Sequence, residues 1–311
     1  MSSVTSTILG VFGYVLIGYI LKKIRIVPDK IEKIFTSISF NVLLPIALIT
    51  NFWLITFPDV YIIKLLISFF GAGILVFTLS FLIGKHSYQF KIDDSALFGL
   101  GACYGNCVAL GIPLMYSVLG PAKIMPYMIL VLFHSIIHFT YTTLIIESYR
   151  NRNYSNLNKV IYTILGLAQN AALAAMIIGF ALNYFSVPFP ESLQLIMQPI
   201  TKIALPAILV SMGMGLAGFK IGSVSSHLLI LTTLKNFVYP LIAFALTKYV
   251  FLLSPLLIFI VTIAAALPSG IQTYYFSYRY NSLQNIISAN VVVSTFVSIF
   301  TLSILLFLFG Y

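Results

Sequence analysis

Runs of roughly twenty apolar residues recur about every thirty residues along the chain, with almost no charge inside them. A helix of that length crosses the hydrocarbon core of a bilayer, and helices and closed barrels are the spanning structures that satisfy all their own backbone groups. A barrel would show short alternating segments, which are absent here. The composition agrees: 60% of the residues are hydrophobic, only 8% are charged, and the mean hydropathy is +1.05. The fold class expected is an all-α polytopic membrane protein. Polar stretches stay too short for a soluble domain, no GxxxxGK[ST] phosphate loop occurs, and no cleavable leader is expected, because lysines follow rather than precede the first apolar run.

Ten spans are expected, at 5–22, 32–55, 61–84, 95–119, 124–147, 160–184, 192–217, 224–249, 255–278 and 284–309. Basic residues follow the odd-numbered spans: Lys22, Lys23, Arg25, Lys30, Lys33, Lys85, Lys91, Arg150, Arg152, Lys159, Lys220 and Arg279. The opposite side has only Lys64, Lys123 and Lys248. By the positive-inside rule, the odd connections face the cytoplasm and both termini face outward from the cell membrane. The same rule explains the net charge of +10 without a nucleic-acid partner.

Two of the spans are interrupted. One carries Asn106-Cys107-Val108-Ala109-Leu110-Gly111-Ile112-Pro113, the other Ala264-Ala265-Ala266-Leu267-Pro268-Ser269-Gly270. Proline removes a backbone donor and clashes with the preceding turn, and unpaired backbone at membrane depth is tolerated only against protein or a watery cavity. Pro45 in the second span and Pro206 in the seventh precede these breaks by similar offsets. The landmarks therefore repeat, residues 1–150 against 151–311. With five spans per repeat, the second half runs inverted in the membrane. Paired breaks in such halves mark the binding site of a secondary transporter.

The chemistry at membrane depth is polar or positive, never acidic. Asp29, Glu32, Asp59, Asp93, Asp94, Glu147 and Glu191 all fall at or near span ends. This argues against a carboxylate proton relay, a cationic substrate and an acid–base enzyme site. Half-helix N-termini at the breaks offer N–H groups to an anion. Asn106, Ser269 and Gln272 stand beside them, with Gly111, Ile112, Pro113, Pro268 and Gly270 shaping the backbone. Asn41, Pro45, Lys202 and Pro206 are candidates for an opposing wall. Lys202 and Lys235 lie within spans, where each either snorkels or serves a cavity or domain contact. His134 and His138 form one polar stripe, Asn290, Ser294 and Ser298 another, in equivalent spans. They face the cavity, brace the breaks or pack as polar neighbours. Two histidines without a third ligand do not make a metal site, and no cofactor is expected. Cys103 and Cys107, at i and i+4, are read as small packing residues.

The Asn106–Leu114 stretch resembles the N-x-x-x-x-G-[IL]-P-L pattern of the auxin efflux carrier family, and Ala265–Ile271 resembles its A-x-L-P-x-G-[IV] pattern. Asn41 to Pro45, Leu205-Pro206, Ser211 to Met214, and Ser294-Thr295 with Ser298 are also similar. The resemblance implies ten helices in a 5+5 inverted repeat of the sodium–proton antiporter and bile-acid symporter kind, with spans four and nine crossing at Pro113 and Pro268. It implies a scaffold of spans 1, 2, 6 and 7, dimeric through that scaffold, and a moving domain of spans 3–5 and 8–10. It also implies elevator-type transport of a small organic anion whose carboxylate meets Asn106. The connection between spans five and six is too short for the long loop of the plant exporters. An anion travelling alone is expected to leave a cell with a negative interior. The alternatives are an anion channel and an ion-coupled importer.

Overall fold

The computed structural model describes residues 2–54, 62–150, 171–219 and 225–311. Those residues form twelve helices and no strand. They are α1 (Ser2–Lys23), α2 (Asp29–Trp53), α3 (Ile62–His86), α4 (Ile92–Cys103), α5 (Cys107–Leu119) and α6 (Met125–Arg150), then α7 (Ala171–Tyr184), α8 (Glu191–Gly218), α9 (Ser226–Val250), α10 (Pro255–Ala266), α11 (Gln272–Tyr280) and α12 (Gln284–Leu308). Six of them, α2, α3, α6, α8, α9 and α12, are long and apolar enough to cross a membrane. The chain is a polytopic helical membrane protein. The first part of the sixth expected span, with Asp59, Lys159 and Lys220, lies outside the described residues.

Proline shapes several of these helices in the same way. Wide π-turns cover Ser39–Leu43, Cys107–Gly111 and Leu234–Val238, and Pro45, Pro113 and Pro240 each follow after one intervening residue. A proline ring crowds the carbonyl four residues back, and the wider turn opens room for it. Pro206 differs from its expected counterpart Pro45, because it stands within the continuous helix α8 and no π-turn precedes it.

α1 lies along α8 with backbone against backbone. A Cβ on Gly18 would run into the Val210 carbonyl, and one on Gly213 into the Val15 carbonyl. α2 packs on both α7 and α8, and Gly179 of α7 abuts Ile49 of α2. A second group joins α3 to α4, α6 and α9, and α10 to α3, α6, α9 and α12. Between the two groups, α5 touches α1 and α8. At one end of the second group, Arg150 of α6 donates from Nε and Nη2 to Asp93 of α4 at 2.9 and 2.6 Å, and from Nη2 to the Tyr280 carbonyl at 2.9 Å. Ser282 bonds Asp94 in the same cluster. The described acids thus stand at or near helix ends, where Arg150 pairs with Asp93, Ser282 with Asp94, Tyr280 with Glu147, and Lys22 with Asp29 and Glu32.

Candidate functional site

The helical path breaks twice, between α4 and α5 and between α10 and α11. Leu267 is extended (φ −57°, ψ 146°) because the proline after it disfavours the helical conformation, and this ends α10. Tyr104 is extended too (φ −80°, ψ 111°), but no proline follows it. Its ring sits 4.2 Å from that of His134 and 4.7 Å from that of Phe139, and its hydroxyl bonds the Ser135 hydroxyl at 2.8 Å. Side chains of α6 therefore hold the first break open. It lies at Tyr104–Asn106, seven residues before Pro113, so the crossing expected at Pro113 is corrected: Pro113 belongs to the first turns of the helix that follows.

The two breaks satisfy each other. The Asn106 N–H donates to the Pro268 carbonyl at 2.8 Å, and the Gly270 N–H donates to the Tyr104 carbonyl at 3.1 Å. Gly105 and Ser269 form an antiparallel bridge between them. Each break supplies what the other lacks, as buried backbone requires. Glycine is needed at 270, where a Cβ would meet the Tyr104 ring at 2.8 Å.

The polar stripes brace this crossing from both sides. His134 Nε2 accepts from the Gly105 N–H at 3.4 Å, and Ser294 Oγ accepts from the Ser269 N–H at 3.0 Å. Asn290 donates to the Gly101 carbonyl at 3.1 Å and accepts from Thr232 at 3.1 Å. His138 bonds the His134 carbonyl through Nδ1 at 2.9 Å, and Ser298 donates to the Thr295 carbonyl at 2.7 Å. All are buried. No group of metal-ligating side chains occurs among the described residues.

A cavity of about 320 Å³ opens beside the crossing. α2 contributes Glu32 and Asn41, α5 contributes Ala109, α8 contributes Ser211 and Met212, and Gln272 and Tyr275 come from α11. Asn106 stands one side chain behind this wall. Its Nδ2 donates to the Met212 sulfur at 3.3 Å, and its Oδ1 has no partner. Gln272 Oε1 is also buried without one. Of the residues expected to form the site, Asn41 and Gln272 line the cavity, while Asn106, Pro268, Ser269 and Gly270 build the crossing. Gly111, Ile112 and Pro113 are buried in α5, with Gly111 against Tyr127 and Leu267. Lys202 is exposed on α8 and lines no part of this cavity, which corrects its place in the opposing wall; Pro45 and Pro206 are half-buried and also outside the lining. Sequence reading left Glu32, Ala109, Ser211, Met212 and Tyr275 out of the site, and of these Ser211 and Met212 carried a signal. Their signal was the small-and-methionine run Ser211 to Met214, which sits one to two turns after Pro206.

Two interrupted apolar helical paths meet within the bundle, braced by polar side chains and flanked by a cavity, in a polytopic helical membrane protein. Residues 3–306 match the family described as "Membrane transport protein", and the chain belongs to that family, as the likeness to the auxin efflux carriers led us to expect. Its function is that of a membrane transporter, not an enzyme. A relative from Rhizobium meliloti (strain 1021), named "Putative malonate transporter", is 21% identical over 312 residues, covering 99% of this chain and 96% of the relative.

Proposed function

We propose that this protein is a secondary carrier for a small organic anion, whose carboxylate binds in the cavity beside the crossing. The observation that carries this reading is the pairing of the Tyr104–Asn106 and Leu267–Ile271 breaks next to that cavity. The breaks aim the N-termini of α5 and α11 at the region where Gln272 lines the cavity and Asn106 lies behind Met212. Helix N-termini favour negative charge, and a thioether is a weak acceptor, so the Asn106 amide is free to turn to a carboxylate when Met212 moves. The unpartnered Oδ1 of Asn106 and Oε1 of Gln272 accept from a ligand hydroxyl or carboxyl O–H. A volume of about 320 Å³ suits an acid of a few carbons. Short dicarboxylates are the first candidates, and the name of the Rhizobium relative points the same way.

The motion we attach to this site is of the elevator type, in a ten-span, 5+5 inverted repeat. α1, α2, α7 and α8 serve as the scaffold, while α3 to α6 and α9 to α12 move. In support, α5 touches the scaffold helices α1 and α8, and shares the cavity wall with α8. With odd connections cytoplasmic, the cavity mouth at Glu32 and Tyr275 faces the cell interior. For an anion travelling alone, the potential favours export by about 2.3 kcal/mol per 100 mV.

Flux of radiolabelled malonate and malate into proteoliposomes tests the reading. Asn106→Ala removes a hydrogen bond to a charged group, worth about 1.5–3 kcal/mol, so apparent affinity should fall roughly ten- to a hundredfold. Unchanged flux in Asn106→Ala removes that residue from the site. Currents of channel size across the reconstituted membrane overturn the carrier reading.

A further inference from the structure

Among the described residues, one cation is buried completely while every acid stays near a helix end. Lys235 lies in the wide turn Leu234–Val238 of α9 and has no exposed surface. Its Nζ donates to the Ala265 carbonyl at 2.7 Å, in the last turn of α10 before the break, and sits 4.6 Å from the centre of the Tyr239 ring. From the other strand of the crossing, a Cβ on Gly105 would stand 3.5 Å from Nζ. The amine therefore reaches both interrupted spans at once.

The titratable groups around it are Cys103 of α4, Cys107 of α5, His134 and His138 of α6, and Tyr239 of its own helix. α10 and α12 contain no ionisable side chain, and those of α3, namely Lys64, Lys85 and His86, stand at its ends. Among the described residues no carboxylate forms an ion pair with Lys235. A buried ammonium with one carbonyl acceptor, one ring face and no counter-ion is held in its charged form at high cost. Negative charge arriving in the neighbouring cavity changes that balance, since an opposite charge in a low-dielectric site favours the protonated amine.

We propose that Lys235 is the proton-binding site of the transport cycle: its amine takes up one proton as an organic anion enters the cavity and releases it as the anion leaves. This rests on the organic-anion reading above. The step is the protonation R–NH2 + H+ → R–NH3+. The proton comes from the aqueous side that the cavity faces and is given up on the other, and no bond to the substrate forms. Malonate or malate, a dianion at neutral pH, then crosses with one proton and one net negative charge, so the bias of the membrane potential towards export is halved and the pH gradient joins it in setting the direction. Coupling is reciprocal: acid tightens anion binding as much as the anion tightens proton binding. Affinity then falls by about tenfold per pH unit where the empty site is unprotonated and the occupied site protonated.

The test is calorimetric titration of the purified full-length protein with malonate and malate, in buffers of equal pH but different ionisation enthalpy. At a pH where malonate affinity in the wild type falls about tenfold per pH unit, about one proton taken up per anion bound is expected in the wild type, and near zero in Lys235→Met, which is always neutral, and in Lys235→Arg, which stays charged. Binding without proton uptake in the wild type overturns the proposal and leaves the anion reading intact. Uptake that persists in either variant also overturns it, because the proton then goes to the anion or to another group. If neither acid binds the wild type, both readings fall together. Should Lys235→Met not fold, Lys235→Arg and the wild type alone still decide.

Discussion

Gly111 separates a packing role from a binding role, and the separation can be measured. It lies in the stretch expected to meet substrate, yet a Cβ there would collide with the Tyr127 hydroxyl and come within 2.6 Å of the end of the Leu267 side chain. The Tyr127 hydroxyl is itself committed, donating to the Cys107 carbonyl at 2.6 Å. Gly111→Ala therefore overpacks a buried site, at a cost of about 1–3 kcal/mol. It also displaces a hydrogen bond worth about 1 kcal/mol, the one Tyr127 gives the Cys107 carbonyl. Tyr127→Phe alone loses only that bond. In the double variant the colliding oxygen is gone, leaving the flexible tip of Leu267 to yield. The double variant is then more stable than the sum of the single losses predicts, by about 1–2 kcal/mol of coupling. Thermal unfolding in detergent, followed by the loss of the monodisperse peak on size exclusion, gives the four apparent midpoints. Strict additivity refutes the contact argument. A Gly111→Ala variant that keeps its midpoint but loses anion binding refutes the packing role.

Further outcomes follow from other contacts. Met212→Ala uncovers Asn106 from the cavity side, so malonate should reach it without displacing a side chain; a rise in affinity measured by calorimetry is expected, and no change argues that Met212 does not cover the site. Gln272→Glu places a like charge in the cavity wall and should abolish anion binding, whereas retained binding in both Gln272→Glu and Gln272→Ala moves the anion elsewhere. Cys103 and Cys107 are buried and should resist maleimide labelling until the protein is unfolded; prompt labelling of the folded protein contradicts their packing. Lys22 hydrogen-bonds Asp29 and holds its carboxyl below the usual range, which joins the end of α1 to the start of α2. That depressed carboxyl contributes stability above its unfolded pKa and loses it as pH falls through the lower folded value. Cleavage in the 24–28 connection should therefore increase below about pH 4, and a pH-independent rate rejects the link.

The polytopic helical class was legible because bilayer-length apolar runs bounded by charges have few alternative readings, and six such helices stand among the described residues. The interruption after Ala266 was legible for a local reason, since Pro268 forces Leu267 out of the helix. The interruption at Tyr104–Asn106 was misplaced because its cause is not local. The ring of Tyr104 is held by His134, Ser135 and Phe139, some thirty residues onward, and its carbonyl by Gly270. The proline seven residues later drew attention away from it. The stripes of α6 and α12 were visible as spacing, but three fates stayed open until His134 and Ser294 were found on the N–H groups of Gly105 and Ser269. Lys202 and Lys235 looked alike in the sequence. One is exposed and the other buried against Ala265, and only the packing of α9 on α10 distinguishes them.

The close approach of α1 and α8 limits which surfaces can move. Gly18 and Gly213 face carbonyl oxygens across the pair, and the residues four before and four after Gly18 on α1 are Tyr14 and Lys22. Sliding α1 by a single turn would bring a side chain to a place where only hydrogen fits. The pair is thus a ratchet with one permitted notch. The two helices therefore hold one register, and a movement of either carries the other with it.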